Sequence, residues 1–186
     1  MLVDDNYENF KVEVRALARA YNLTPEQEYR ALHEINYDVA AENGWGDPYS
    51  YARSKEIYAA GVLGHKVAKT FSGADAFNQK GEPVEYKSTI GKNPTGSYTG
   101  ISVQDTWEEQ ERYLREEKIA KYPEHYFNRF EDGKLVESWM MSGMDVFNIL
   151  LPKLKKKYPD VLTKKDPRLS ANVTWTEIKK YGTKVI

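Results

Sequence analysis

Residues 70–89, TFSGADAFNQKGEPVEYKST, read as two short strands around a turn, and the reading of the whole chain grows from them. The turn signal is QKGE, set between the strand-like runs KVAKTFSGADAFN and PVEYKSTI. This hairpin holds Asp75, Glu85 and Lys87 among apolar neighbours, although strand-forming segments usually avoid charge. Glu85 and Lys87 are two apart, so their side chains leave the same face of a strand. A turn centred on Gly81 brings Asp75 to the facing strand. Two neighbouring carboxylates repel unless a cation lies between them, and hard oxygen ligands favour Mg²⁺. A lysine beside them can lower the pKa of a water or hold it in line with a phosphate.

Helical signals precede the hairpin. DDNYENFKVEVRALARAYN spaces Phe10, Val14, Leu17 and Ala18 along one face, and Asn22 ends it. A second helix starts with Thr24 as N-cap, Pro25 at the first position and Gln27 at the third, and closes at Gly44. After the turn GWGDPYS, a third helix runs to Gly64. Beyond the hairpin, GKNPTGSYTGIS at 91–102 reads as a polar loop. Residues 105–121 form a charged helix with Glu-to-Lys/Arg pairs at helical spacing. EHYFNRF and KLVESWMMS flank EDG as a second hairpin. DVFNILLPKLKKKYP is a helix despite Pro152, and Thr174 with Glu177 forms a capping-box pattern in the tail. The layout is α/β (α+β): a small mixed sheet with helices on both sides.

Composition narrows the chemistry. The 186 residues suit one domain and include no cysteine, which excludes disulfides and thiolate metal sites. The acidic start MLVDDNYENF is unlike a secretory signal, and no apolar run is long enough to span a bilayer. A soluble cytoplasmic protein with no membrane partner is the expectation. The net charge of −1 hides an asymmetry: residues 151–186 hold ten Lys/Arg against three Asp/Glu, and residues 1–150 hold 17 against 25. Such a split fits a basic face that meets nucleic acid, or a solvated helix surface. No nucleophile–base pair is legible for a covalent mechanism, and no Gly-Lys-Ser/Thr loop follows a strand. His33 and His125 lack ligand-like spacing to acids, and His65 reads as a helix-end partner or a phosphate contact.

The pattern of Asp followed about ten residues later by Glu-x-Lys occurs two further times, at Asp105/Glu116/Lys118 and Asp166/Glu177/Lys179. The first lies in a charged helix, where i and i+2 diverge, and in the second Glu177 is a cap. Only the Asp75 set lies on a strand pair. GADAF followed by VEYKS resembles the core motif of the PD-(D/E)xK superfamily, the restriction-endonuclease-like nucleases. Ala74-Asp75 stands where that family often has Pro-Asp, and Glu85-Tyr86-Lys87 stands for (D/E)xK. The resemblance implies an αβββαβ core over residues 50–150, with residues 1–49 a helical embellishment and 151–186 a basic C-terminal segment of a single nuclease domain. It implies that Asp75, Glu85 and the backbone carbonyl of Tyr86 bind Mg²⁺, with Mn²⁺ able to substitute. Lys87 would position or activate the attacking water. Glu56, on the preceding helix, would be an added acid, or else a surface partner of Arg53 or Lys55.

The implied activity is Mg²⁺-dependent hydrolysis of DNA phosphodiester bonds. A type II restriction endonuclease in a bacterial, archaeal or phage-infected cell leads, with a phage or homing nuclease behind it. Double-stranded DNA is the expected partner, and palindromic cutting calls for a homodimer. Lys92, Asn93, Ser97 and Tyr98 of the loop, and Lys153, Lys155, Lys156, Lys157, Lys164, Lys165 and Arg168 of the basic segment, are the expected DNA contacts. Asn172 with Ser170 is placed to reach base edges, unless Leu169 and Trp175 simply pin the tail to the core. The rivals are a non-catalytic nucleic-acid-binding module and a purely structural protein.

Overall fold

The N-terminal helical signals are realised as α1 (Asp5–Ala20) and α2 (Pro25–Glu42) in a computed structural model that describes residues 5–69 and 73–186. Thr24 and Gln27 cap α2 reciprocally, as expected, and Asn22 takes the left-handed backbone, φ 52°, that ends the preceding helix. Phe10 and Leu17 on α1 are exposed rather than packed. The chain divides into two compact units, one ending at Pro48 and one beginning at Tyr49, so the boundary falls inside the GWGDPYS turn. Among the described residues no helix is long and apolar enough to cross a membrane.

The second unit opens with α3 (Arg53–Leu63), closed by Gly64 at φ 69°. Then come β1 (Lys66–Val67), β2 (Ala76–Phe77) and β3 (Pro83–Thr89), an antiparallel meander. The expected first arm is thus two very short strands, and residues 70–72 of it lie outside the described residues. The connection passes through β4 (Gly96–Ser102) and α4 (Trp107–Tyr113), whose last turn widens to π geometry over Leu114–Lys118. It leads into β5 (Glu124–Glu131), parallel to β3 and hydrogen-bonded beside it. β6 (Lys134–Ser142) returns antiparallel through a turn whose Asp132 and Gly133 both have positive φ, 49° and 75°. α5 (Gly143–Val161) follows, then β7 (Arg168–Val173), α6 (Trp175–Tyr181) and β8 (Thr183–Lys184). The main sheet is mixed, in the order β1-β2-β3-β5-β6-β8, and β4 pairs with β7 as a separate ribbon. Among the described residues, six α-helices and a mixed sheet make the class α+β, as the sequence pattern indicates.

The polar loop expected at 91–102 is largely strand. Gly96, Tyr98 and Ile101 turn inward and Ser97 and Thr99 outward, the period-2 alternation of a half-buried strand. Its partner β7 lies some 70 residues downstream, and a register shift falls between Tyr98 and Ile101 at Gly100, φ 64°. The ribbon's inner residues join α5 and one face of the main sheet in a single core that includes Ile101, Phe127, Phe147, Leu150, Leu154 and Val173. α5 accommodates both Pro152 and Pro159.

β4 crosses close over β3. A Cβ added at Gly96 would stand 2.3 Å from a Phe127 ring carbon and 3.2 Å from Lys87 Cγ, so only glycine allows this approach. The β3 face carrying Glu85 and Lys87 is therefore roofed by the ribbon. The opposite face, with Val84, Tyr86, Tyr126 and Phe130, meets α3 through Tyr58, whose ring packs edge-on against Phe130 at 5.6 Å.

Candidate functional site

Asn78 sets the hairpin. Its side-chain oxygen accepts from the N–H groups of Lys80 and Glu82, and Gly81 (φ 81°) completes the turn. β2 then pairs with β3 only at Pro83 and Val84. Beyond Val84, no strand pairs with this edge of β3 among the described residues, and the Asp75 side chain lies against it: its Oδ2 accepts from the Tyr86 N–H at 2.6 Å. In a strand a residue's N–H and C=O leave by the same edge, so the Tyr86 carbonyl also faces Asp75 and not β5.

The trio expected from the sequence is therefore gathered at one place. Glu85 and Lys87 share a face, with Lys87 Nζ donating to Glu85 Oε1 at 2.6 Å. Both are partly buried, 17% and 22% exposed, so solvent screens this pair less than a surface one. Burial first, then the negative charges of Glu85 and Glu56, push the Asp75 carboxyl up to about 8, against the opposing pull of the Tyr86 N–H and Lys87. Without a cation, Asp75 holds its proton at neutral pH. Glu56 Oε2 pairs with the Arg53 guanidinium at 3.1 Å, a largely buried pairing and not the surface one expected, and its negative charge helps to raise Asp75. Arg53 is itself buried and donates to the Ala68 carbonyl, which anchors α3 beside the site.

The sequence reading missed a second layer. The Lys87 ammonium lies 4.9 Å over the ring of Tyr98, a cation–π contact. Tyr98 is correspondingly not a surface contact for DNA. It is 6% exposed, and its hydroxyl lies 2.8 Å from His125 Nδ1. His125 is wholly buried, with Nε2 3.0 Å from the Ile119 carbonyl. Burial pushes this imidazole down to about 4, so it is neutral; Nε2–H donates to Ile119 and Nδ1 accepts from Tyr98. Tyr98 and His125 are 27 residues apart, and no local spacing links them. Tyr98→Phe would strand the buried His125 nitrogen, with an expected loss of about 1–3 kcal/mol by urea unfolding. The cation–π face is kept, so this variant should alter stability much more than any property of Lys87.

His65 stands at the end of α3, where its backbone N–H bonds the Ala60 carbonyl at 2.9 Å, but its ring turns to the sheet. It lies on the opposite face, half-buried, 2.7 Å from the Tyr86 hydroxyl and edge-on to Tyr126 at 5.0 Å. Burial lowers its pKa, with Glu124 opposing.

Of the expected DNA contacts, Lys92, Asn93, Ser97, Lys155, Lys156, Lys157, Lys164, Lys165, Arg168 and Asn172 are all exposed. The ribbon sets Ser97 directly across from Asn172. Several cations have structural partners as well. Lys157 bonds the Ser170 carbonyl at 2.6 Å, Lys153 the Asn172 carbonyl at 2.8 Å, and Arg168 both Asp166 and Ser102 at 3.1 Å. Leu169 is buried, and Trp175 packs edge-on against Trp139 at 5.3 Å, so the tail is also pinned to the core.

The donors at the β3 edge are all oxygens: two carboxylates and one carbonyl. Among the described residues no group of three or more His, Asp or Glu forms a metal cage. An oxygen-only set suits Mg²⁺, which is held by one or two carboxylates with waters completing its shell. No protein-family model matches the chain, and a search of curated proteins finds no match.

Proposed function

We propose that the protein is a Mg²⁺-dependent endonuclease of the PD-(D/E)xK kind, hydrolysing DNA phosphodiester bonds. The observation that carries this reading is the convergence of Asp75, Glu85, the Tyr86 carbonyl and Lys87 on one stretch of the β3 edge. The element order supports it: a helix, an antiparallel three-strand meander, then a helical crossover to a strand parallel to the third, the topology the resemblance calls for.

Asp75, Glu85 and the Tyr86 carbonyl would hold the cation, which supplies charge neutralisation at phosphate and a water of lowered pKa. Lys87 stays fixed between the Glu85 carboxylate and the Tyr98 ring, so its ammonium is aimed without loss of rotamer freedom at the moment of reaction. Roofing by β4 limits water around it. The β4–β7 ribbon, with Ser97, Thr99 and Asn172 outward, is of the kind that a DNA major groove admits, and the exposed lysines of 155–165 supply phosphate contacts. A homodimer cutting a palindrome is the working arrangement.

Supercoiled plasmid and phage DNA incubated with the protein and Mg²⁺ test this directly. Discrete fragments that vanish with EDTA, and with Asp75→Asn, are expected. Intact DNA in both Mg²⁺ and Mn²⁺ with folded protein would sink the nuclease reading.

A further inference from the structure

At the carboxyl ends of the parallel strands β3 and β5 lies an open cleft of about 680 Å³, on the sheet face away from Glu85 and Lys87. That volume is in the range of pockets for small organic ligands. Crevices beyond the carboxyl ends of parallel strands are also where open α/β sheets bind ligands. Three elements build it: the first turns of α3, the segment after β3, and the β5–β6 turn.

Its lining divides by chemistry. Tyr58, Phe130 and Ile90 form an apolar surface, and Ile90 is left 79% exposed with nothing packed over it. Lys55 and Lys92 stand at the rim, with Lys55 Nζ 5.9 Å from the centre of the Phe130 ring. Neither lysine makes an ion pair among the described residues. The third cation, Arg129, is already held between Glu131 at 2.9 Å and Glu137 at 3.2 Å. Asp132 also lines the cleft, so its three cations, Lys55, Lys92 and Arg129, stand against two carboxylates, and the excess positive charge beside a flat apolar surface matches a ligand that carries a ring and an anion together. A purely anionic ligand would leave Tyr58, Phe130 and Ile90 without a role. A purely apolar one would desolvate both lysines without a partner.

We propose that this cleft is a nucleotide subsite, which takes a base against Tyr58, Phe130 and Ile90 and a phosphate between Lys55 and Lys92. Ile90 lies three residues beyond Lys87, roughly 10 Å along the strand, which is about three base steps of 3.4 Å. Lys55 adjoins Glu56 on α3. The cleft would thus hold a nucleotide of a strand that rounds the β3 edge from one face of the sheet to the other on its way to Lys87. That last role rests on the nuclease reading, but the binding does not.

Binding is measured on the full chain in EDTA, where no cleavage occurs. The probe is a 5′-phosphorylated, 3′-fluorescein-labelled trideoxynucleotide followed by anisotropy, with dTMP and a nucleoside lacking phosphate as competitors. Saturable binding is expected, weakened about tenfold or more by Ile90→Asp and by the Lys55→Glu/Lys92→Glu pair, and little changed by Asp75→Asn. Ile90 is exposed, so its variant should keep the parent's thermal transition. Displacement by dTMP at similar concentrations would assign the site to free nucleotides, whereas displacement only by oligonucleotides would assign it to a strand; both support the subsite. Competition by thymidine equal to that of dTMP overturns it, because the phosphate would then contribute nothing. Failure to bind, or unchanged affinity in both variants, also overturns it. A subsite that survives while no DNA is cut in Mg²⁺ would remove the nuclease reading alone.

Discussion

Lys87→Ala is expected to slow DNA hydrolysis by about 10²–10⁴-fold, the scale on which a positioned proton-handling group acts. Lys87 has one carboxylate partner, Glu85, and one aromatic partner, Tyr98. On the proposed mechanism, removing the ammonium takes away the group that would act on water or phosphate, and it leaves the Glu85 charge unopposed beside the buried Asp75. The loss should therefore appear in kcat at saturating Mg²⁺, with the KM for DNA nearly unchanged, because the DNA contacts proposed for the ribbon and the lysines lie elsewhere. Steady-state cleavage of a fluorescent duplex measures both. Full activity in a folded Lys87→Ala protein would remove this residue from the mechanism.

In EDTA, stability should fall as pH rises from about 4 to about 8. The sign follows from Asp75, whose carboxyl is raised from 3.8 to about 8 in the folded chain. Between those values the folded protein holds a proton that the unfolded chain has released, so each added pH unit favours unfolding. The stabilisation is complete below 3.8 and is gone above about 8. Within the window the slope is at most about 1.4 kcal/mol per pH unit. Other carboxyls act in the opposite sense at lower pH; Glu177, lowered by its Lys153 and Thr174 partners, is one. The difference between the parent and Asp75→Asn isolates the site. Urea midpoints at pH 5, 6.5 and 8 should converge for the two proteins at low pH and separate at high pH, with Asn the more stable. Parallel curves would mean that Asp75 is not held neutral.

What the sequence disclosed follows from how local each signal is. The capping box at Thr24 and Gln27, the left-handed Gly64 and the Asp132-Gly133 turn are decided within a few residues, and each forms as read. The trio of Asp75, Glu85 and Lys87 was legible because a hairpin brings near neighbours in sequence together. The strand at 96–102 was not, because its partner β7 is remote and its glycines resemble those of a loop. The roof over Lys87 was hidden for the same reason: Tyr98 meets His125 only after the crossover has folded. Tyr98 thus carried a surface role on paper and an interior one in the fold.

The shortness of β2 has a further consequence, for solubility. A strand edge left bare is a template for pairing with another chain, and proteins commonly guard such edges with charge. Here no strand pairs with this edge among the described residues, and the guards along it are Asp75, Glu85 and Lys87. Substituting all three with apolar residues would leave a sticky strand as well as an inert protein, and the material would be expected to self-associate during expression. On the proposed reading the hairpin would hold its charges for two reasons at once, one chemical and one colloidal.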